Sequence, residues 1–353
     1  MDTAEWHDRA LARVTAFDFP MGFYSRPSRR AKRFRMGRVL VALGGNALQR
    51  AGGRGTWPEQ VAQMRATAGV LATLVLDGEE LIVTHGNGPQ VGTLLRQNEL
   101  AERELPPRPM DVLGAETQGQ IGYLIEQELT AALVRAKVPR TVLALVSRTI
   151  VSYRDRAFKH PDKPVGRYYT EVEARTLRKR EGWQMVYDGA RGGWRRVVPS
   201  PEPLRWIEGE GLRKLLPPGW GAHIIPVVTG GGGVPVIEKE KGTYEGVEAV
   251  IDKDRTAALV ALALSADTLV ILTDVPAAAV GFGKSWEKWL GEVRATEMEA
   301  YLRRGEFGEG SMRPKVEASL RFIRDGGKRA IITDPPSLAR AMRNETGTRI
   351  VRG

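Results

Sequence analysis

An α/β three-layer sandwich around a mostly parallel sheet is the fold this sequence predicts, and two observations carry it. Short β-branched runs alternate with longer segments of helical apolar spacing from residue 38 onward. The short runs are near-continuously apolar rather than alternating, which is what burial on both faces of a parallel sheet produces.

The elements follow in order. "VLVAL" at 39–43 is the first strand candidate. A helix follows it, with Thr56 placed to cap, Pro58 in the first turn and Gly78 past the end. Val61, Met64, Val70, Leu71 and Leu74 fall at helical spacing within it. A second strand is expected at 80–84, then helices over 91–104 and 111–136, then an apolar run at 141–151. After an interruption, strands are expected at 223–229, 268–274 and 329–334, with a helix starting at about 254.

The interruption, 152–200, is polar and rich in Arg, Lys, Tyr and Pro. Two weak strand pairs around a turn at Asp188-Gly189 are expected there. Its size and place read as a protruding flap or lid inserted in the main domain, 36–353. A disordered insertion is the alternative, and the five aromatics between 168 and 194 argue against it.

Composition narrows the chemistry. The 353 residues are 27% charged and 42% hydrophobic, ordinary for a soluble enzyme. The absence of cysteine excludes a disulfide framework, a thiolate zinc site and a cysteine nucleophile. Only His7, His85, His160 and His223 are present, none at i, i+4 spacing, so no metal site built from side chains is expected. A magnesium carried by a nucleotide needs few protein ligands and stays open.

The net charge of +11 is unevenly spread. Residues 1–35 hold eight basic and four acidic side chains, and the run at 25–38 has seven basic residues and no acid. Such a run serves either as a nucleic-acid or membrane-surface arm or as a disordered basic extension. The second reading is favoured because no groove-reading motif accompanies it, so no nucleic-acid partner is expected. Neither a secretory signal nor a transmembrane stretch is evident, which makes a cytoplasmic protein the expectation.

In open parallel sheets, ligands sit beyond the carboxyl ends of the strands. Small residues gather there: "LGGNA" after the first strand, "THGNGPQVG" after the second, and "TGGGGVPV" after the strand at 223–229. Each alone is consistent with simple turn chemistry. Together they favour a place where bare backbone N–H groups reach an anion. Neither a Walker lysine pattern nor G-x-G-x-x-G opening a helix is present. Phosphoryl transfer needs positioning and charge cancellation more than covalent help, hence fixed cations near such loops. Lys253, between Asp252 and Asp254, and Lys315, after Pro314, both stand at expected helix starts. Each is either a phosphate ligand or a solvated first-turn lysine. A cation there opposes the helix dipole, which tilts the balance toward function. "TDV" at 273–275 either contacts a nucleotide or caps a turn.

In order along the chain, "LGGNAL", "THGNGPQVG", "MDVLGAETQGQIGY", "KPVGRYY", "PVVTGGGGVPV", "EAVIDKDRTAALVA", "ILTDV" and "GSMRPKVEA" resemble the signature blocks of carbamate kinase, a branch of the amino-acid kinase superfamily. The resemblance spans about 37–351, and the ordered set is far more specific than any one block. It implies a homodimer with the amino-acid kinase-like sandwich and a protruding subdomain. It also implies reversible phosphoryl transfer between ATP and carbamate, giving ADP and carbamoyl phosphate, with magnesium. Residue by residue, it implies that Gly44, Gly45 and Asn46 hold the moving phosphate. Gly86, Asn87 and Gly88, with Gly231 and Gly232, would border the substrate. Lys253 and Lys315 would neutralise phosphate charge, with Asp254 orienting them. Thr273, Asp274, Val275 and Met312 would lie along the nucleotide with Lys315. Carbamate is a carboxylate and needs no base, which suits a site without a histidine dyad; His85 reads as a strand-end histidine bonded to backbone.

Departures from the family pattern lie at Tyr153, where many members have lysine, at Arg313, commonly glycine, and in the less polar "TDVPAAAVGFG". Two other readings stand beside carbamate kinase: a superfamily kinase with another acceptor, and a catalytically degenerate binding protein.

Overall fold

The computed structural model describes residues 37–48, 53–189, 192–216, 220–308 and 310–353. The basic extension expected at 1–35 lies outside the described residues.

The chain opens with β1 (Arg38–Leu43), α1 (Trp57–Leu76), β2 (Glu80–His85), α2 (Gly88–Ala101) and α3 (Met110–Arg135). Next come β3 (Thr141–Ala144), β4 (Arg148–Ile150), β5 (Lys163–Tyr169), α4 (Glu171–Glu181), β6 (Gln184–Asp188) and β7 (Gly193–Val198). They lead into β8 (Arg205–Trp206), α5 (Gly209–Leu215), β9 (Ile224–Val227), β10 (Val234–Glu240) and β11 (Thr243–Gly246). The last third holds α6 (Lys253–Ala263), β12 (Thr268–Leu272), β13 (Ala279–Val280), β14 (Lys288–Trp289), β15 (Glu292–Arg294) and α7 (Ala295–Arg303). It closes with α8 (Met312–Arg324), β16 (Arg329–Thr333), α9 (Leu338–Met342) and β17 (Thr348–Val351).

The main sheet has the order β15-β17-β16-β12-β1-β2-β9-β3. The six strands from β16 to β3 are parallel, and β17 joins β16 antiparallel. Side chains on a strand alternate between faces, and here both faces are covered. Leu40, Ala42, Ile82, Leu269 and Ile271 pack with Ala257 and Ala261 of α6 and Val316 and Leu320 of α8. Val39, Val41, Leu43, Leu81 and Val83 pack with Leu71 of α1 and Ile125 of α3 on the other side. That double burial explains why the strands read as unbroken apolar runs. The α1 start is as the sequence indicates: the Thr56 N–H donates to Glu59 Oε2 at 3.0 Å, and Pro58 sits in the first turn. No described helix is long and apolar enough to cross a membrane.

The apolar run at 141–151 is two strands, not one. β3 stays in the main sheet, whereas β4 pairs in parallel with β10 in a separate four-stranded sheet, β11-β10-β4-β8. The switch occurs at Ser147, whose N–H donates to Gln118 Oε1 at 2.9 Å and whose carbonyl accepts from the Val234 N–H at 2.8 Å. A buried side-chain amide thus replaces a sheet partner where the strand leaves.

Within 152–200, β5, β7 and β6 form an antiparallel three-stranded sheet. The β6–β7 pair turns after Asp188, as expected, but α4 was not expected. Its ends are legible in retrospect. Thr170 and Glu173 make a capping box, and Gly182 closes the helix with φ 67°. Its middle is not, because only Ala174 is buried and no apolar stripe announces the helix. Tyr169, Ala174 and Met185, with Leu177, Trp183 and Trp194, form a small core within this segment, the expected flap.

Candidate active site

The ends of β1, β2 and β9 meet at one edge of the sheet. Leu43 pairs with His85, and the Gly86 N–H donates to the Leu43 carbonyl at 3.0 Å. After β9 the chain turns through Thr229, Gly231, Gly232 and Gly233, all at positive φ. Only glycine adopts three such residues in succession without strain. Carbonyls of this turn are tied down: Gly232 O accepts from Thr149 Oγ1 at 2.9 Å and Thr256 Oγ1 at 3.1 Å, and Thr229 O from Thr84 Oγ1 at 3.2 Å.

A cavity of about 760 Å³ opens over these turns. Among the sequence-predicted residues, Gly45, Gly86, Asn87, Gly88, Gly231, Lys253, Asp254 and Lys315 line it. Asn87 is buried, with Nδ2 donating to Thr117 Oγ1 at 2.9 Å. A Cβ on Gly231 would come within 2.4 Å of the Asn87 amide, so this glycine is what lets Asn87 sit there.

Lys253 opens α6 and Lys315 lies in the first turns of α8. Their ammonium groups converge on one carboxylate: Lys253 Nζ bonds Asp254 Oδ1, and Lys315 Nζ bonds Asp254 Oδ2 at 3.2 Å. Asp254 is almost fully buried and is itself positioned through the helix cap, its N–H donating to Asp252 Oδ1 at 2.9 Å. The two lysines feel this setting differently. Burial lowers the Lys253 pKa, with Lys315 adding to the effect and Asp254 opposing it. Lys315 is raised: burial works against its charge, but the Asp254 carboxylate, with Asp252 and Asp274, outweighs it. One negative charge is shared by two cations, leaving a net positive pair facing the cavity.

Other predicted residues fall outside the lining. Gly44 is held by packing, since a Cβ there would lie 2.6 Å from the Leu272 carbonyl oxygen; Gly232 similarly abuts the Ile251 carbonyl at 2.7 Å. Asn46 lies in the 3₁₀ turn Gly45–Ala47. Thr273, Asp274, Val275 and Met312 are not among the residues lining this cavity. Thr273 is buried, its N–H donating to the Thr333 carbonyl at 2.9 Å, and Met312 packs against the core. Asp274 is exposed, yet its charge helps to raise Lys315. Tyr153 is also outside the lining: it is 62% exposed and accepts from Arg154 Nε at 2.9 Å. Arg313 pairs with Glu317 at 2.9 Å along its own helix.

Sequence reasoning missed cations that the flap and α2 bring to the cavity: Lys163, Arg167, Arg195 and Arg96. Lys163 Nζ meets Asp252 Oδ2 at 2.8 Å and holds that carboxyl below the ordinary range despite its burial. Asp252 thereby joins the flap to the cap of α6. The available signal was "KPVGRYY", a basic Pro- and Gly-punctuated stretch inside a polar insertion.

His85 is buried as a strand-end residue, with Nδ1 at 2.9 Å from the Gly86 carbonyl, and is neutral at pH 7. Burial lowers its pKa to about 4, with Lys253 contributing. The unfolded chain takes up this proton near pH 6.5 and the folded one only near 4. Stability is therefore expected to fall by roughly 3 kcal/mol as pH drops through that window, and to stay flat for this group below it. Urea midpoints measured from pH 7 to 4 check this; His85→Gln should flatten the slope, and an unchanged slope would refute it.

Known proteins share this chain's sequence and fold. The amino acid kinase family matches residues 37–334. The carbamate kinase of Thermococcus kodakarensis is 47% identical over 320 residues, covering 90% of this chain and 100% of that protein. That of Pyrococcus horikoshii is 47% identical over 315 residues, covering 89% and 98%. Among solved structures, the carbamate kinase of Giardia lamblia bound to AMP-PNP superposes with TM-score 0.82 at 37% identity, covering 90% of this chain and 99% of that one.

Proposed function

We infer the chemistry of this site from one premise: the chain belongs to the amino acid kinase family and, within it, to the carbamate kinases. The enzyme is an ATP-dependent kinase that interconverts ATP and carbamate with ADP and carbamoyl phosphate. The observation that carries the reading into the site is the pair Lys253 and Lys315 on the single carboxylate of Asp254, beside Gly45 and Gly86.

The proposed mechanism uses few groups. A carbamate oxygen attacks the γ-phosphorus; that O–P bond forms while the bond to the β,γ-bridging oxygen breaks, and ADP leaves. No proton must be removed, because the nucleophile is already a carboxylate. The residues therefore hold charge and position. Lys315 and Lys253 neutralise the moving phosphoryl oxygens, with Asp254 fixing both ammonium groups. Gly45 presents backbone without a Cβ in the way, and Gly86, Asn87, Gly88 and Gly231 border the acceptor. Thr273, Asp274, Val275 and Met312 are assigned to the nucleotide, beyond the residues that line this cavity.

Among the described residues no group of three His, Asp or Glu converges to hold a metal. A magnesium ion would accordingly be held mainly by nucleotide phosphates. When bound it supplies charge neutralisation, adding to that of the lysines. A homodimer in the cytoplasm is proposed from the family relationship; the exposed stack of Trp57 on Tyr123 is an apolar surface a second copy would cover. Light scattering tests the dimer.

The decisive assay couples ATP formation to ADP and carbamoyl phosphate with magnesium present. ATP formation that depends on all three is expected. A folded, ADP-binding protein that makes no ATP would overturn the reading.

A further inference from the structure

The cations around the cavity are not equally committed. Lys253 and Lys315 share Asp254, and Lys163 is paired with Asp252. Arg96 and Arg167 both face Glu99, at 2.8 and 3.3 Å, and Arg167 also holds Glu173 at 2.8 Å. Arg195 on β7 differs. Among the described residues it has no carboxylate partner: Nη2 donates to the Gly166 carbonyl at 3.0 Å, and its guanidinium lies 5.1 Å from the centre of the Tyr168 ring. Its Nε is buried with no hydrogen-bond partner at all.

That enclosed Nε is out of a ligand's reach, so what the cavity can use is the other guanidinium N–H groups, of which one is hydrogen-bonded to protein. Here the guanidinium is already oriented by a carbonyl and an aromatic ring, so little freedom remains to be lost on binding. Its planar fork suits a carboxylate or phosphate more than a point charge would. Its position narrows the choice. Gly166, which receives the Arg195 bond, backs onto α2, where a Cβ on Gly92 would lie only 3.7 Å from the Gly166 Cα. Arg195 thus belongs to the α2 side of the cavity, the side lined by Gly86, Asn87 and Gly88.

We propose that Arg195 is a substrate-binding residue that the flap delivers to the phosphoryl acceptor, gripping the oxygens of a small carboxylate and those of its acyl phosphate product. The proposal rests on the functional reading above. It makes the flap part of the acceptor site, and it gives the open donors of Arg195 their acceptors.

The test uses Arg195→Gln and Arg195→Lys in the full chain. Arg195→Gln should raise the KM for carbamoyl phosphate roughly ten- to hundred-fold, the range for a lost charged hydrogen bond. Arg195→Lys should fall between the two, keeping the charge but losing the fork, and the ADP Kd from calorimetry should change less than about two-fold. An unchanged KM for carbamoyl phosphate, or an equal loss of ADP affinity, overturns the assignment. So does a lowered melting temperature with reduced kcat but no KM change, which marks a strut of the flap. If the wild-type protein makes no ATP from ADP and carbamoyl phosphate, the functional reading fails separately. Arg195 is then judged by calorimetry with inorganic phosphate: selective weakening in Arg195→Gln supports an anion site, and equal binding removes it.

Discussion

Lys315→Ala is expected to lower turnover by roughly 10²–10³-fold, the scale of losing one preorganised charge donor at a transition state. Folding should survive the change. Among the described residues, Lys315 Nζ hydrogen-bonds Asp254 Oδ2 and the Ser311 carbonyl, each at 3.2 Å. Asp254 keeps Lys253 when Lys315 is gone, so no buried carboxylate is left alone. The fall should appear mainly in kcat, because the proposed mechanism gives this lysine the charge on the moving oxygens. A second readout separates this from a packing effect. Lys315 lowers the pKa of Lys253, whereas Asp254 raises it. Removing Lys315 should therefore move the alkaline limb of the pH–rate profile upward, since Lys253 keeps its proton to higher pH. Asp254→Asn should move the limb downward, since burial then acts on Lys253 without its counter-ion. An unchanged rate in Lys315→Ala, or limbs moving in the same direction, would sink the shared-carboxylate mechanism.

The parallel core strands were legible because burial on both faces leaves short unbroken apolar runs in β1, β2, β9 and β12, with polar residues only at the strand ends. Lys253 and Lys315 stood out because a cation at a helix start opposes the dipole and so needs a reason. What the sequence hid follows from contacts far apart in the chain. The split of 141–151 depends on Gln118, 29 residues away, supplying both a donor and an acceptor to Ser147. Helix α4 is almost entirely solvated, so its periodicity carries no apolar signal. Lys163 and Arg195 looked like two more charges in a basic insertion until the flap fold brought them to the cavity. Tyr153 drew attention by its position in a family pattern, but it stands in solvent on Arg154 while Lys163 supplies a cation from the flap.

The same logic splits the two glycines that look alike in "LGGNAL", and yields the second large effect. Gly45→Ala is expected to cost roughly 10²-fold in turnover, the scale of a 1 Å misplacement of reacting groups. It should leave stability within about 0.5 kcal/mol, as for a substitution that meets nothing. Among the described residues, and beyond its two chain neighbours, a Cβ at Gly45 has no heavy atom within 4 Å; its φ is not in the left-handed region, and the residue lines the cavity. The added methyl therefore enters open cavity space, which in the proposed mechanism a phosphoryl group would use. Gly44→Ala should behave in the opposite way. Its Cβ would sit 2.6 Å from a backbone carbonyl of the neighbouring strand, and β1 and β12 must separate to admit it. Overpacking of this kind costs about 1–3 kcal/mol, which lowers the melting temperature by several degrees, and any loss of activity should track that destabilisation. Melting curves and steady-state kinetics on the two variants distinguish the roles. Should Gly45→Ala turn over like the wild type, Gly45 would be only a turn after a strand, and the phosphoryl cradle would have to be sought among the lysines and Gly86 alone.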